Sequence, residues 1–198
     1  MQRAWIAVPL LAAGLSVPAD VPRAVHAQLK PRLLTGQLLV ASPGMRDPRF
    51  VQTVIYMARH DGTGAMGLTV SRKVGEAPLA ELIERLGMDP AGATGNIAVH
   101  WGGPVEPGRG FMLHTAEYAG EGTLPVDERF ALTVHPGILR AIAQGQGPRR
   151  ILFALGYAGW GPGQLEAELD RGDWITVPAD EDLVFGQNYD TKWDRATA

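Results

Sequence analysis

The sequence predicts an α+β or α/β fold, a single domain with a mixed, largely antiparallel sheet flanked by helices. Three observations lead there. A chain of 198 residues with 45% apolar content suits one domain that can bury a sizeable core. From Gly36 onward, short apolar runs of strand length are cut by glycine and proline, which number 25 and 15 in the chain. Helical periodicity is rarer and does not alternate regularly with the strands, which argues against a purely parallel, doubly wound sheet.

Strands are expected at Gln37–Ala41, Thr53–Arg59, Met66–Val70, Ile97–Trp101, Gly110–His114, Phe130–Val134, Arg150–Leu155 and Trp174–Val177. The first helix is expected at Pro78–Leu86, with apolar residues at i, i+3, i+4 and i+7, proline at the first turn and Gly87 as a stop. Pro136–Ala143 reads as a second helix. Pro162–Arg171 reads as a third, with Leu165 and Leu169 on one face, Glu166 early in the helix dipole and Gly172 ending it. The run from Ile151 to Glu168 passes through four glycines and reads as strand, glycine-rich turn, helix. The links between Thr53 and Val70, and between Ile97 and His114, are too short for a crossover helix, so each pair is expected to be antiparallel.

Charge and composition exclude several function classes. A net charge of -3 and a pI near 5.9 provide no basic face, so direct nucleic-acid binding is not expected. The absence of cysteine removes disulfides, thiolate metal sites and thiol nucleophiles. Residues 1–27 form a leader before a domain at 28–198. Arg3 precedes an uncharged stretch from Ala4 to Ala19, followed by small-residue triplets of the signal-peptidase type. This stretch is short for a membrane span, so no stable anchor is expected. It reads either as a signal peptide, implying export, or as a start placed too early, implying a cytoplasmic protein.

Several stations come in a distinctive order: Gly36-Gln-Leu-Leu-Val-Ala-Ser-Pro43, Asp47-Pro-Arg-Phe50, Thr53-Val-Ile-Tyr56, Gly64-Ala-Met-Gly-Leu68, Trp101-Gly-Gly-Pro-Val105, Arg109-Gly-Phe-Met-Leu-His114 and the Ile151–Glu168 run. Across Leu34–Trp193 they resemble the YqgE/AlgH family of bacterial proteins. The resemblance implies a usually cytoplasmic protein and, through the AlgH side, a transcriptional role in exopolysaccharide genes. With an acidic pI and no helix-turn-helix, such a role would be indirect. Ser71 stands where the family commonly carries asparagine, and the short stretch after Trp193 implies an abbreviated last helix.

No catalytic set, cofactor motif or metal-ligand spacing stands out. The glycine run Gly156–Gly163 lacks the lysine of a P-loop and the spacing of a dinucleotide fingerprint, and reads first as a tight turn packing Trp160 and second as an anion site. Glu166 and Glu168, two apart on a helix, point to different faces and do not form a carboxylate dyad. His100 and His114 sit at comparable strand ends and could meet across the sheet, which leaves open an alternative reading as a hydrolase using His100 and His114 with Glu166. No G-x-S-x-G elbow presents Ser42, Ser71, Thr69 or Thr115. The reading favoured is a noncatalytic regulatory or small-ligand-binding domain, its partner a small anionic ligand or a protein. Its cleft is expected to be framed by Gly102, Gly103, Pro104, Arg109, His114, Trp160, Gln164 and Glu166.

Overall fold

The computed structural model describes residues 33–198, so the expected leader lies outside the described residues. Strand β1 (Gln37–Ala41) pairs antiparallel with β2 (Val54–Asp61), which pairs with β3 (Gly64–Thr69), while β10 (Trp174–Pro178) closes on the other side of β1. Strand β1 and the first half of β2 read as continuous apolar runs because both faces are covered. Leu38, Val40, Val54, Tyr56 and Leu68 join one core cluster, whereas the intervening Leu39, Ile55 and Met57 join a second.

The pivot is β9 (Ile151–Trp160), ten residues long. Its first half lies between β5 (Asn96–Trp101), to which it is parallel, and β6 (Val105–Thr115), to which it is antiparallel. Its second half pairs with β3 at Ala65–Gly67, joining the two parts of one curled ten-stranded sheet. Beyond β6 come β8 (Phe130–Thr133) and β7 (Thr123–Pro125), and β4 (Lys73–Pro78) forms an edge on β5. The expected mixed, mostly antiparallel sheet is therefore present, with the β5–β9 pair parallel.

Two expectations need correction. The glycine run is not a turn throughout: Gly156–Trp160 continues the strand, and only the residues from Gly161 to Gly163 turn the chain. Gly156 makes this feasible, since its φ of 72° bends the strand where β9 changes partners. The strands around Ile97 and Gly110 do run in opposite directions, but they do not pair; β9 sits between them. The physical cause is a backbone crossing. The Gly102 N–H donates to the Leu155 carbonyl at 2.8 Å, and Gly102 and Gly103 pass so close to β9 that a Cβ on either would strike its backbone at Gly156 or Tyr157. The chain steps across β9 there and returns as β6 on the other edge.

Helices α1 (Leu79–Arg85), α2 (Gly137–Ala143) and α3 (Gln164–Asp170) form where expected. Three further elements, two strands and a short helix, were not foreseen, whereas the last helix is the one that the family resemblance implied. Strand β4 is almost wholly exposed and shows no alternation, and β7 has three residues. Helix α4 (Glu181–Phe185) is capped by Asp180, whose carboxylate accepts from the N–H groups of Asp182 and Leu183, and α5 (Tyr189–Thr197) is mostly polar. Among the described residues, no helix is long and apolar enough to cross a membrane.

Candidate functional site

A cleft of roughly 850 Å³ lies on one face of the molecule, in the size range of small-ligand sites. One wall is the loop between β1 and β2, from Ser42 to Phe50. The other is α3 with the turn that follows it. The floor is Ala158, Gly159 and Trp160 of β9, and Pro104 and Val105 close one end.

The floor is rigid because one carboxylate holds it. Glu168 Oε2 accepts from the indole N–H of both Trp160 and Trp174, each at 2.8 Å, and its Oε1 accepts from Gln164 Nε2 at 2.9 Å. Both tryptophans are buried, and their rings meet edge to face at 6.0 Å and 79°. Phe50 extends this apolar surface, 5.6 Å from Trp174 and 5.8 Å from Trp101. The turn before α3 is closed by Gln164, whose side-chain oxygen accepts from Gly161 N–H at 3.1 Å. That bond uses one of the N–H groups an anion there would need.

The rim carries three arginines and, with Glu168 at its foot, three carboxylates, so the formal charges cancel. The hydrogen-bonding capacity does not cancel. Both Asp47 oxygens already accept from the Arg49 side chain, which holds the Asp47 carboxyl below its usual pKa range. Arg171 spends Nε and Nη2 on Asp173 Oδ2, and Glu168 is occupied as described. Arg46 has no carboxylate partner among the described residues, and Arg49 and Arg171 each keep one terminal nitrogen without a hydrogen bond to them. An incoming group therefore meets surplus donors. Among the described residues no cluster of three metal-ligating side chains occurs.

Three of the eight residues expected at the cleft, Pro104, Trp160 and Gln164, line it. The other five lie elsewhere. Gly102 and Gly103 are buried in the β9 crossing, where they serve close backbone packing. Arg109 is exposed on β6, paired with Glu106 at 3.0 Å instead of balancing Glu166. His114 is buried and linked to the Thr133 hydroxyl at 2.8 Å and the Thr115 carbonyl at 2.9 Å; burial lowers its pKa. Glu166 faces away from Glu168, as expected for that spacing, and meets the buried His60 at 3.0 Å. Its pKa is lowered first by its own backbone N–H and then by His60, against the opposing effect of burial.

His100 and His114 do not meet. His100 lies opposite Ala154 and His114 opposite Ile151, on strands separated by β9. His100 Nδ1 is bonded to the Phe153 carbonyl at 3.0 Å, and burial pushes its pKa down to about 4. Among the buried histidines, the one that finds a carboxylate is His60, whose Nδ1 accepts from Leu34 N–H at 3.3 Å, leaving Nε2–H to donate to Glu166.

Sequence reasoning missed Arg46, Phe50, Glu168, Arg171 and Trp174 as cleft residues. The Asp47-Pro-Arg-Phe50 station, with the Ser42-Pro43 end of the station before it, signalled the loop wall. Nothing local marks Glu168, because its role depends on two tryptophans brought together from β9 and β10.

The sequence of the AlgH-like family matches this chain over residues 38–198, which takes in the strands of the sheet, but for the first residue of β1, and both walls of the cleft. A UPF0301 protein of Rhodospirillum rubrum is 53% identical over 152 residues, covering 77% of this chain and 79% of the relative. Another from a Jannaschia species is 50% identical over 165 residues, covering 82% and 86%. The solution structure of AlgH from Pseudomonas aeruginosa superposes with a TM-score of 0.72 at 41% identity, over 86% of this chain and 90% of that one. A crystal structure from Corynebacterium diphtheriae, 20% identical with a TM-score of 0.63 over 82% and 84% of the two chains, shares the fold. With the family's sequence pattern spanning nearly the whole described sheet, and relatives about half identical along most of it, this chain belongs to the AlgH-like family.

Proposed function

We propose that the protein is a noncatalytic ligand-binding domain whose cleft takes a small anionic ligand. The observation that carries this reading is the excess of guanidinium donors over unoccupied acceptors around a fixed aromatic floor. Arginine suits oxyanions because its planar fork can donate two parallel N–H bonds, and Arg46 offers that fork unpaired. A regulatory role, including an indirect effect on transcription, would follow from ligand occupancy of this cleft. His100, His114 and Glu166 each have separate partners, so the hydrolase alternative gains no shared site from the geometry.

The test is a thermal-shift titration of the full chain with phosphate, pyrophosphate and small carboxylates, since a ligand that binds only the folded state raises the melting point. A saturable rise is expected with at least one of these anions, and Arg46→Ala should abolish it. Arg46 is exposed and makes no ion pair among the described residues, so its loss should leave the unliganded melting point unchanged. No shift with any anion, or a shift that survives Arg46→Ala, would sink the reading.

A further inference from the structure

Resting on that reading, we infer that the ligand is an aromatic phosphate of the nucleoside monophosphate type, its ring on the Phe50–Trp174–Trp160 surface and its phosphate at the arginine rim. The floor is what narrows the class. Both indole N–H groups are committed to one carboxylate oxygen and both rings are largely buried, so Trp160 and Trp174 line the cleft with a small apolar area and no free donor. A sugar-like ligand, whose hydroxyls each need a partner, would find few on that floor.

A flat ring is favoured over an aliphatic chain by the wall beside it. The Arg49 guanidinium lies 5.6 Å from the Phe50 ring centroid, and its in-plane edge is fixed by Asp47, so a cationic plane and an aromatic ring stand together. Both attract an aromatic face, whereas an acyl chain gains only apolar burial. Arg46 and Arg49 stand on the loop wall and Arg171 on the helix wall. A phosphate has enough acceptor oxygens to use guanidiniums from both walls, which a lone carboxylate does less well.

The experiment is calorimetric titration of the full chain with three probes: AMP, inorganic phosphate and adenosine. AMP is expected to bind at least about tenfold more tightly than either half, the scale on which one stacked base adds affinity. Phe50→Leu, with its melting point checked, should weaken AMP by about tenfold and leave phosphate unchanged. Quenching of tryptophan fluorescence by AMP but not by phosphate is the matching result on the unaltered chain, and needs no variant. Equal affinity for AMP and phosphate, with no quenching, would overturn the aromatic class while the anion reading stands. Adenosine binding as tightly as AMP would overturn both, as would no binding by any of the three.

Discussion

At the scale of single residues, glycines that look alike in the sequence do different work. Gly156 and Gly163 both adopt positive φ, at 72° and 74°. At Gly163, which precedes α3, a Cβ would meet nothing within 4 Å, so Gly163→Ala costs only the strain of a left-handed alanine, about 1–2 kcal/mol. At Gly156 a Cβ would press on the carbonyls of Gly103 and Val105 as well. Rigid backbone on both sides cannot yield, so Gly156→Ala is expected to lose several-fold more stability than Gly163→Ala, or to fail to fold. Urea denaturation of the two variants measures the contrast, and equal midpoints would remove the crossing from the account. The glycine run thus belonged to the site only in part: its second half shapes the cleft, and its first half lets two segments of backbone touch.

At the scale of elements, α5 shows what a weak local signal can conceal. Its sequence is polar, yet Lys192 is wholly buried, donating to the carbonyls of Val70 at 2.8 Å and Val184 at 3.0 Å and lying over the Tyr189 ring at 5.1 Å. Trp193 adds a bond to the Ala41 carbonyl at 2.8 Å. These bonds fasten the C-terminal helix to the ends of β1 and β3. Burial is the main cause that lowers the Lys192 pKa to about 7, with the charges of Arg195 and Arg150 adding to it. In the unfolded chain the amine titrates near 10.4. The folded state therefore binds fewer protons between those values, and this residue's share of stability grows as pH rises from about 7 toward 10 and is lost as pH falls through 7. Comparing Lys192→Met with the unaltered chain, urea midpoints should show that rise in the native protein and a flatter profile in the variant. Parallel profiles would mean that the two carbonyls keep Lys192 charged throughout.

For the whole molecule, β9 is the strand on which the rest is organised. It pairs with β3 of the β10-β1-β2-β3 part and with β5 and β6 of the other part, while β4 and β7 lie at edges. Local opening follows exposure and hydrogen bonding, so amide exchange should be slowest along Leu152–Ala158 and fastest along β4. Hydrogen–deuterium exchange resolved to peptides reads this directly. Protection of β4 equal to that of β9 would show that a further contact covers that edge. The same arrangement explains why β5 and β6 were expected to pair: their short link is the usual mark of a hairpin, and only the return of a strand some fifty residues later separates them.

The sequence by itself determined the mixed sheet, three of the helices, the family and the opposed faces of Glu166 and Glu168. Each of these rests on local periodicity, on turn chemistry or on an ordered run of motifs. Tertiary structure alone decided that Gly102, Gly103 and Gly156 lie back to back, that His60 and not His100 or His114 meets Glu166, and that Glu168 ties Trp160 to Trp174. The physical reason is common to all three. Such contacts join residues far apart in the chain, and neither a helical nor a strand period records which distant segment will occupy the adjoining space.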